Sequence, residues 1–298
     1  MSELDAIVAG VPASVTLRAR YRASETVSLP AFLGGTMHGA LGHALDAVGA
    51  IGLFGPPPAP EDAPGFVRAG VPPPCVMIPP AIAPARELEP GAPLELAVLL
   101  VAPDERRVGV LLAALEAMGR RGLGRGRGRL ALERVDDGGG RPTWEGGRVV
   151  ATPEVDVAPA ARGDGPWTLR ATTPLHLVRR GELVQHPRAA EVVVAAARRL
   201  LSLAWTYGVG PTCDLRELEH AASERLAAAP GGDWTRLHGE RWSERQRRLH
   251  PVEGVLGTLR LDRTAEPYVP LLAQALRFGV GKGTALGLGR LELVLGVS

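Results

Sequence analysis

Lysine is all but missing. Of the 34 lysine and arginine residues, every one except Lys282 is arginine, and asparagine does not occur at all. Such a bias fits a GC-rich coding sequence, so arginine content is partly a codon effect and only its distribution is informative. Cysteine is equally sparse. Cys75 and Cys213 lie far apart, with no Cys-x-x-Cys and no histidine cluster beside either, which excludes a disulfide framework and argues against structural zinc. Aromatic residues make up 4% of the chain, and no segment carries the paired aromatics of a base-stacking sheet. No apolar run reaches the ~20 residues needed to span a bilayer. The opening Met-Ser-Glu-Leu-Asp is acidic where a secretory signal would be basic and then apolar, so the expected location is the cytoplasm, without membrane contact.

What is present is glycine, and its densest run surrounds the single lysine: Gly279, Gly281, Gly283, Gly287 and Gly289 flank Lys282, Thr284 and the following Arg290. Glycine lets backbone amides approach an anion, and an ammonium at the centre adds a compact charge, so these residues read as a phosphate clamp. Upstream, Leu272, Ala275 and Leu276 fall at helical spacing; downstream, Arg290–Leu295 alternates like a strand. The order helix, loop, strand is the reverse of a nucleotide-triphosphate loop, and Lys282 is followed by glycine rather than serine or threonine. The dinucleotide fingerprint fails on order and spacing too. No cofactor is expected, and the leading anion is a polymer backbone, RNA or DNA.

The same grammar occurs earlier in the chain. Val108, Leu111, Leu112, Leu115 and Met118 share a helical face, Arg120–Gly128 forms an arginine-glycine loop with Arg125 and Arg127, and Arg129–Val135 follows as a strand. Both segments share Leu-Leu-Ala, alternate glycines and Gly-Arg-Leu-x-Leu. A repeat this long means two related domains rather than a solenoid. A glycine- and proline-rich stretch from Asp136 to Pro166 separates them, giving domains at 1–160 and 161–298 for a chain of 298 residues.

The first half offers a strand at Ser14–Tyr21, a helix from about Thr36 to Val48, strands at Cys75–Ile78 and Leu94–Val101, the helix to Gly119 and the last strand. The second offers Trp167–Leu177, helices at about Pro187–Tyr207 and Leu215–Ala228, strands around Leu237–Trp242 and Val255–Leu261, then helix, loop and strand. The fold class expected is α+β, two tandem ferredoxin-like βαββαβ domains, each with a glycine-rich loop before its last strand. The net charge of +2 is small, but arginine clusters at 120–134, 179–180 and 236–248 suit a phosphate backbone.

In its segments Leu33-Gly-Gly-Thr-Met-His-Gly-Ala-Leu-Gly-His-Ala-Leu45, Gly119–Arg129, Thr173-Pro-Leu-His-Leu177, Trp242-Ser-Glu-Arg-Gln246 and Gly279–Glu292, the chain resembles the CRISPR-associated repeat-processing endoribonucleases of the RAMP superfamily. That resemblance implies binding and cleavage of precursor CRISPR RNA within its repeats, without a metal, by attack of the strand's own 2′-hydroxyl. It also implies CRISPR effector subunits as possible partners, and a catalytic histidine close to the first helix of the first domain. Trp242 stands where that family has a tyrosine, and His176 where it often has arginine or lysine. A noncatalytic RAMP subunit that binds guide RNA is the other reading.

Transesterification needs a base for the 2′-hydroxyl, and histidine suits that role near neutral pH. Of seven histidines, the resemblance leaves His38 and His43. With Met37, Leu41, Leu45 and Val48 as the buried stripe, His38 lies roughly 60° from its centre and His43 roughly 160°, at ~100° per residue, so the two do not share a site. Thr36 as N-cap would put His38 in the first helical turn, facing backbone amides. Tyr21, ending the first strand, is a third catalytic candidate by resemblance. Ser243-Glu-Arg-Gln246 has the spacing of a helix start, and Arg245 within it is a candidate RNA contact. Replacing Lys282 with alanine is expected to weaken RNA binding and make the slope of log K against log salt shallower by about one unit, because one phosphate contact releases about one counterion. Filter binding across a salt series measures it.

Overall fold

The computed structural model describes residues 2–124, 126–157, 165–229, 231–243 and 248–295, and the side chains of 240–250 are not considered. The first half runs α1 (Glu3–Ala9), β1 (Ser14–Ala23), β2 (Val27–Leu29), α2 (Gly34–Ala47), α3 (Gly65–Arg68), β3 (Cys75–Ile78), β4 (Arg86–Leu88), β5 (Pro93–Val101), α4 (Glu105–Arg121), β6 (Leu130–Asp136), β7 (Pro142–Glu145) and β8 (Arg148–Val149). The second runs β9 (Trp167–Ala171), β10 (Val178–Arg179), β11 (Glu182–Leu183), α5 (Ala189–Tyr207), α6 (Leu215–Arg225), β12 (Gly232–Ser243), β13 (Arg248–Leu261), α7 (Val269–Leu276) and β14 (Leu291–Leu295).

The main sheets read β3-β5-β1-β6-β7-β8 and β12-β13-β9-β14, with every neighbouring pair antiparallel. Numbering the four corresponding strands of each half in chain order gives one arrangement in both, 2-3-1-4. The fold is α+β, and the sequence repeat has a structural counterpart. The amide of Ser24, just past β1, donates to the carbonyl of Arg129, and the amide of Thr172, just past β9, donates to that of Arg290. Arg129 and Arg290 are the equivalent arginines of the two Gly-Arg-Leu motifs.

Periodicity explains the layers. In β1, Val15, Leu17, Ala19, Tyr21 and Ala23 turn to the helices while Arg18, Arg20 and Arg22 line the open face. Helix α4 begins at Asp104, whose carboxylate accepts the amide of Arg107 at 2.7 Å, and buries Val108, Leu111, Leu112, Leu115 and Met118. In α2, Met37, Leu41 and Leu45 are fully buried, worth roughly 1.5–3 kcal/mol each.

Three local expectations change. Helix α2 starts at Gly34 rather than near Thr36, and Leu33 caps it without a side-chain hydrogen bond, so Thr36 lies inside the first turn. Val48 leaves the buried stripe, because it sits past the last turn and is 38% exposed. The hairpin β12–β13 is far longer than Leu237–Trp242 and Val255–Leu261. Its strands pair from Gly232↔Leu259 to Ser243↔Arg248, while β9 holds only Thr258–Leu261. Ser243 ends that strand, and the rest of the expected helix start, Glu244–Gln246, lies outside the described residues.

The two halves share apolar contacts. Ile7 of α1 and Val76, Leu99 and Val101 of the first sheet belong to the core built on α5 and α7. The connecting segment adds polar ties. Asp156 accepts from the Thr16 amide at 3.1 Å, the Thr16 hydroxyl at 2.9 Å and the Ser14 hydroxyl at 3.2 Å, and faces Arg277 of the second half at 3.6 Å. Asp137 anchors the same segment by accepting the amides of Gly139, Arg141 and Glu154. Burial alone would raise the Asp137 pKa, but those three amides and the Arg141 charge outweigh it and hold the carboxyl below its ordinary value. As pH falls below about 4, the unfolded chain takes up this proton before the folded one, so the stabilisation present at neutral pH is lost. Asp137→Asn is expected to lower stability at pH 7 by about 1–3 kcal/mol and to flatten its fall in the acid range, as read by urea unfolding at successive pH values.

Candidate functional site

The loop from Gly279 to Gly289 follows α7 and turns back into β14. Gly279, Gly281, Gly283, Gly287 and Gly289 all take φ between 69° and 91°, the left-handed region that side chains resist. The loop folds on itself: the amides of Val280, Leu286, Gly287 and Leu288 donate to the carbonyls of Gly289, Gly283, Thr284 and Gly283, and those of Lys282 and Gly289 reach His176 and Pro174. These six amides are committed to protein carbonyls, and the amides of Gly281 and Gly283 on either side of Lys282 are not among them. The glycines serve a tight fold that projects Lys282. Its side chain is exposed, whereas Thr284 is buried.

Arg290, expected as an RNA contact, has its own setting. It is half-buried in a cleft of about 430 Å³ lined also by Arg18, Arg277 and Asp156, and its guanidinium donates to the carbonyl of Arg277 at 2.7 Å. Burial, reinforced by the Arg18 charge, pushes its pKa down to about 10. Arg199 of α5 secures the start of the loop, donating at 3.3 Å to the carbonyl of Phe278, and burial pushes it to about 10 as well.

The short helical turn Thr284–Leu286 carries the loop across to the first half, where it touches β3 and the start of α2. Contact at α2 is so close that a side chain at Gly34 would overlap the carbonyl of Leu286, and one at Gly287 would overlap Pro79. Hairpin β12–β13 also reaches α2. The fold thus brings the lysine-bearing loop and the histidine-bearing helix together.

His38 is half-buried on α2, and its ring lies 4.2 Å from that of Phe54, centroid to centroid. His43 is exposed on another face, as the helical angles require. Tyr21 does not belong to a site: it is fully buried, its hydroxyl donates to the carbonyl of Leu115 at 2.8 Å, and burial raises its pKa far above the ordinary value. It faces the helices because it shares the inward parity of Leu17 and Ala19. His176 is tied by Nδ1 to the carbonyl of Glu253 at 2.8 Å, and His220 and His238 face Glu224 and Glu253.

In the first-half loop, Arg127 is exposed with φ 51°, while Arg125 and Arg245 lie outside the described residues. This loop packs on Thr26 and the start of β2, Val27 and Ser28. Sequence reasoning missed Phe54, which sits in a proline-rich connection with no periodicity to mark it. Among the described residues, no group of three or more His, Cys, Asp or Glu side chains forms a metal cluster, and no helix is long and apolar enough to cross a membrane.

Residues 169–291 match the family model of the CRISPR-associated endoribonuclease Cas6. Over that segment the chain is similar to the Cas6 family. Residues 13–155 match a second family model, described as an N-terminal domain. A chain of a partial Cas6-RT-Cas1–Cas2 complex aligns with 98% of this chain at 12% identity and a TM-score of 0.63; this chain spans 48% of that one, about half its length. Thermus thermophilus Cas6 aligns over 95% of this chain and 99% of its own at 15% identity and a TM-score of 0.51. A Cas6 product complex aligns over 95% and 100% at 17% identity and a TM-score of 0.50. These similarities concern the fold. No curated protein matches the chain.

Gly34→Ala is expected to force the Leu286 carbonyl away from α2, at a cost of roughly 1–3 kcal/mol for overpacking, and so to lower Tm. Differential scanning fluorimetry tests this, and an unchanged Tm would mean the loop does not rest on α2.

Proposed function

We propose that this protein is a metal-independent endoribonuclease that binds precursor CRISPR RNA and cuts within its repeats to release guide RNAs. The observation that carries this reading is the Cas6 family match over residues 169–291. The shared 2-3-1-4 strand order and the paired Ser24–Arg129 and Thr172–Arg290 hydrogen bonds support two tandem ferredoxin-like domains, 1–160 and 161–298.

In the reaction, a base removes the proton of the 2′-hydroxyl at the cut, and the 2′-oxygen attacks the adjacent phosphorus. A P–O2′ bond forms as the P–O5′ bond breaks. An acid protonates the departing 5′-oxygen, leaving a 2′,3′-cyclic phosphate and a 5′-hydroxyl. His38 is the base in this reading, because it stands on the helix that the lysine loop touches. His43 faces elsewhere, and Tyr21 is committed to the core. Lys282 offers its ammonium to the RNA backbone as a point charge. Arg127 extends the basic surface, and Arg245 is a candidate contact on the sequence alone. The complex in which a similar fold occurs makes other CRISPR proteins plausible partners. A CRISPR transcript as substrate places the work in the cytoplasm.

Incubating the protein with repeat RNA in EDTA, beside the same RNA carrying a 2′-deoxy residue at the cut, tests the mechanism. Cleavage in EDTA that the single deoxy position abolishes is expected, with His38→Ala lowering the rate by roughly 10²–10⁴ while binding persists. Tight binding without cleavage would instead assign a noncatalytic RAMP-type guide-binding subunit.

A further inference from the structure

We infer that Phe54 is a positioning residue for His38, an inference that rests on the role proposed above for that histidine. The two rings stand 4.2 Å apart between centroids, tilted by 46°. Phe54 closes the short turn Ile51–Leu53 that follows α2, so the chain has doubled back to lay this ring against the helix it just left. Helix α2 shapes the seat. A Cβ at Gly42 would stand 2.7 Å from Cζ and 2.9 Å from Cε2 of Phe54, so the ring occupies the space that glycine leaves open. Gly42 lies four residues after His38, on the same helical face one turn on. Imidazole and glycine therefore form two sides of one slot, which the phenyl ring fills.

The consequence is geometric. A half-buried histidine on a helix has more than one staggered χ1 open to it, and an aromatic wall at 4.2 Å limits that choice. A base must meet its proton within hydrogen-bond reach, and small misplacements of a reacting group are costly. Phe54 carries no titratable proton, so it acts through the imidazole.

A double-mutant cycle on single-turnover cleavage of repeat RNA tests the idea. Phe54→Ala is expected to slow cleavage roughly 10- to 100-fold with the Kd for RNA unchanged, and Phe54→Tyr, which keeps the ring, to recover that loss. Gly42→Ala, which displaces the ring without removing it, is expected to act like Phe54→Ala. In a His38→Ala background, Phe54→Ala should cost nothing further; a full additional loss there overturns the proposal, because Phe54 would then act independently of His38. If His38→Ala itself leaves cleavage intact, the assignment of the base fails instead. The contact has its own readout in the imidazole NMR resonances of His38, identified with His38→Ala. They are expected to shift when Phe54→Ala removes the neighbouring ring current, and an absence of shift overturns the packing arrangement.

Discussion

The overlap that a side chain at Gly34 would suffer with the carbonyl of Leu286 constrains the rest of the site. A carbonyl can approach a helix this closely only where the facing residue presents no Cβ, and the glycine at the first residue of α2 meets that condition. Through that contact the turn Thr284–Leu286 spans from the second half of the chain to the first. Loop, helix and β3 are thereby held in contact, although they are far apart along the sequence. Asp156 makes a second tie between the halves, drawing Ser14, Thr16 and Arg277 onto a single carboxylate.

Glycine in this protein serves packing more than ligand approach. Each glycine-rich loop turns inward against the segment that leaves the first strand of its own half: the Arg129 carbonyl takes the Ser24 amide, and the Arg290 carbonyl takes the Thr172 amide. With six of its amides occupied, the second loop presents one exposed cation, Lys282. Under the proposed function, RNA would be met by side-chain charge, in a chain that has few aromatics for stacking. Many of the chain's arginines already have partners. On the open face of β1, Arg20 meets Asp136 at 3.2 Å and Arg22 meets Glu133 at 2.5 Å, so arginine count overstates the free positive surface.

Much of the fold was legible because it depends on local periodicity. Alternation named β1, the spacing of Val108, Leu111 and Leu115 named α4, and the repeated Gly-Arg-Leu motif named the last strand of each half. Boundaries set by tertiary contacts were not legible: a distant carbonyl requires a glycine at Gly34, where α2 begins, and the edge strand β12 outruns its pattern in pairing with β13 alone. The site was legible only in outline. Helical angles separated His38 from His43, but nothing in the sequence around Tyr21 distinguished a strand aromatic facing the core from one facing a substrate. The parity of β1 decides that, once Leu17 and Ala19 fix which face is inward. Phe54 had no local signal, since its partner lies in another element and its own segment lacks a period.

The exposed Lys282 has a practical corollary. Because it is the only lysine, the chain offers a single side-chain amine, and that amine projects from the loop that touches α2. An acylating reagent that reacts with primary amines would therefore place its lysine-directed label at one address, turning this loop into a built-in reporter of whatever covers it.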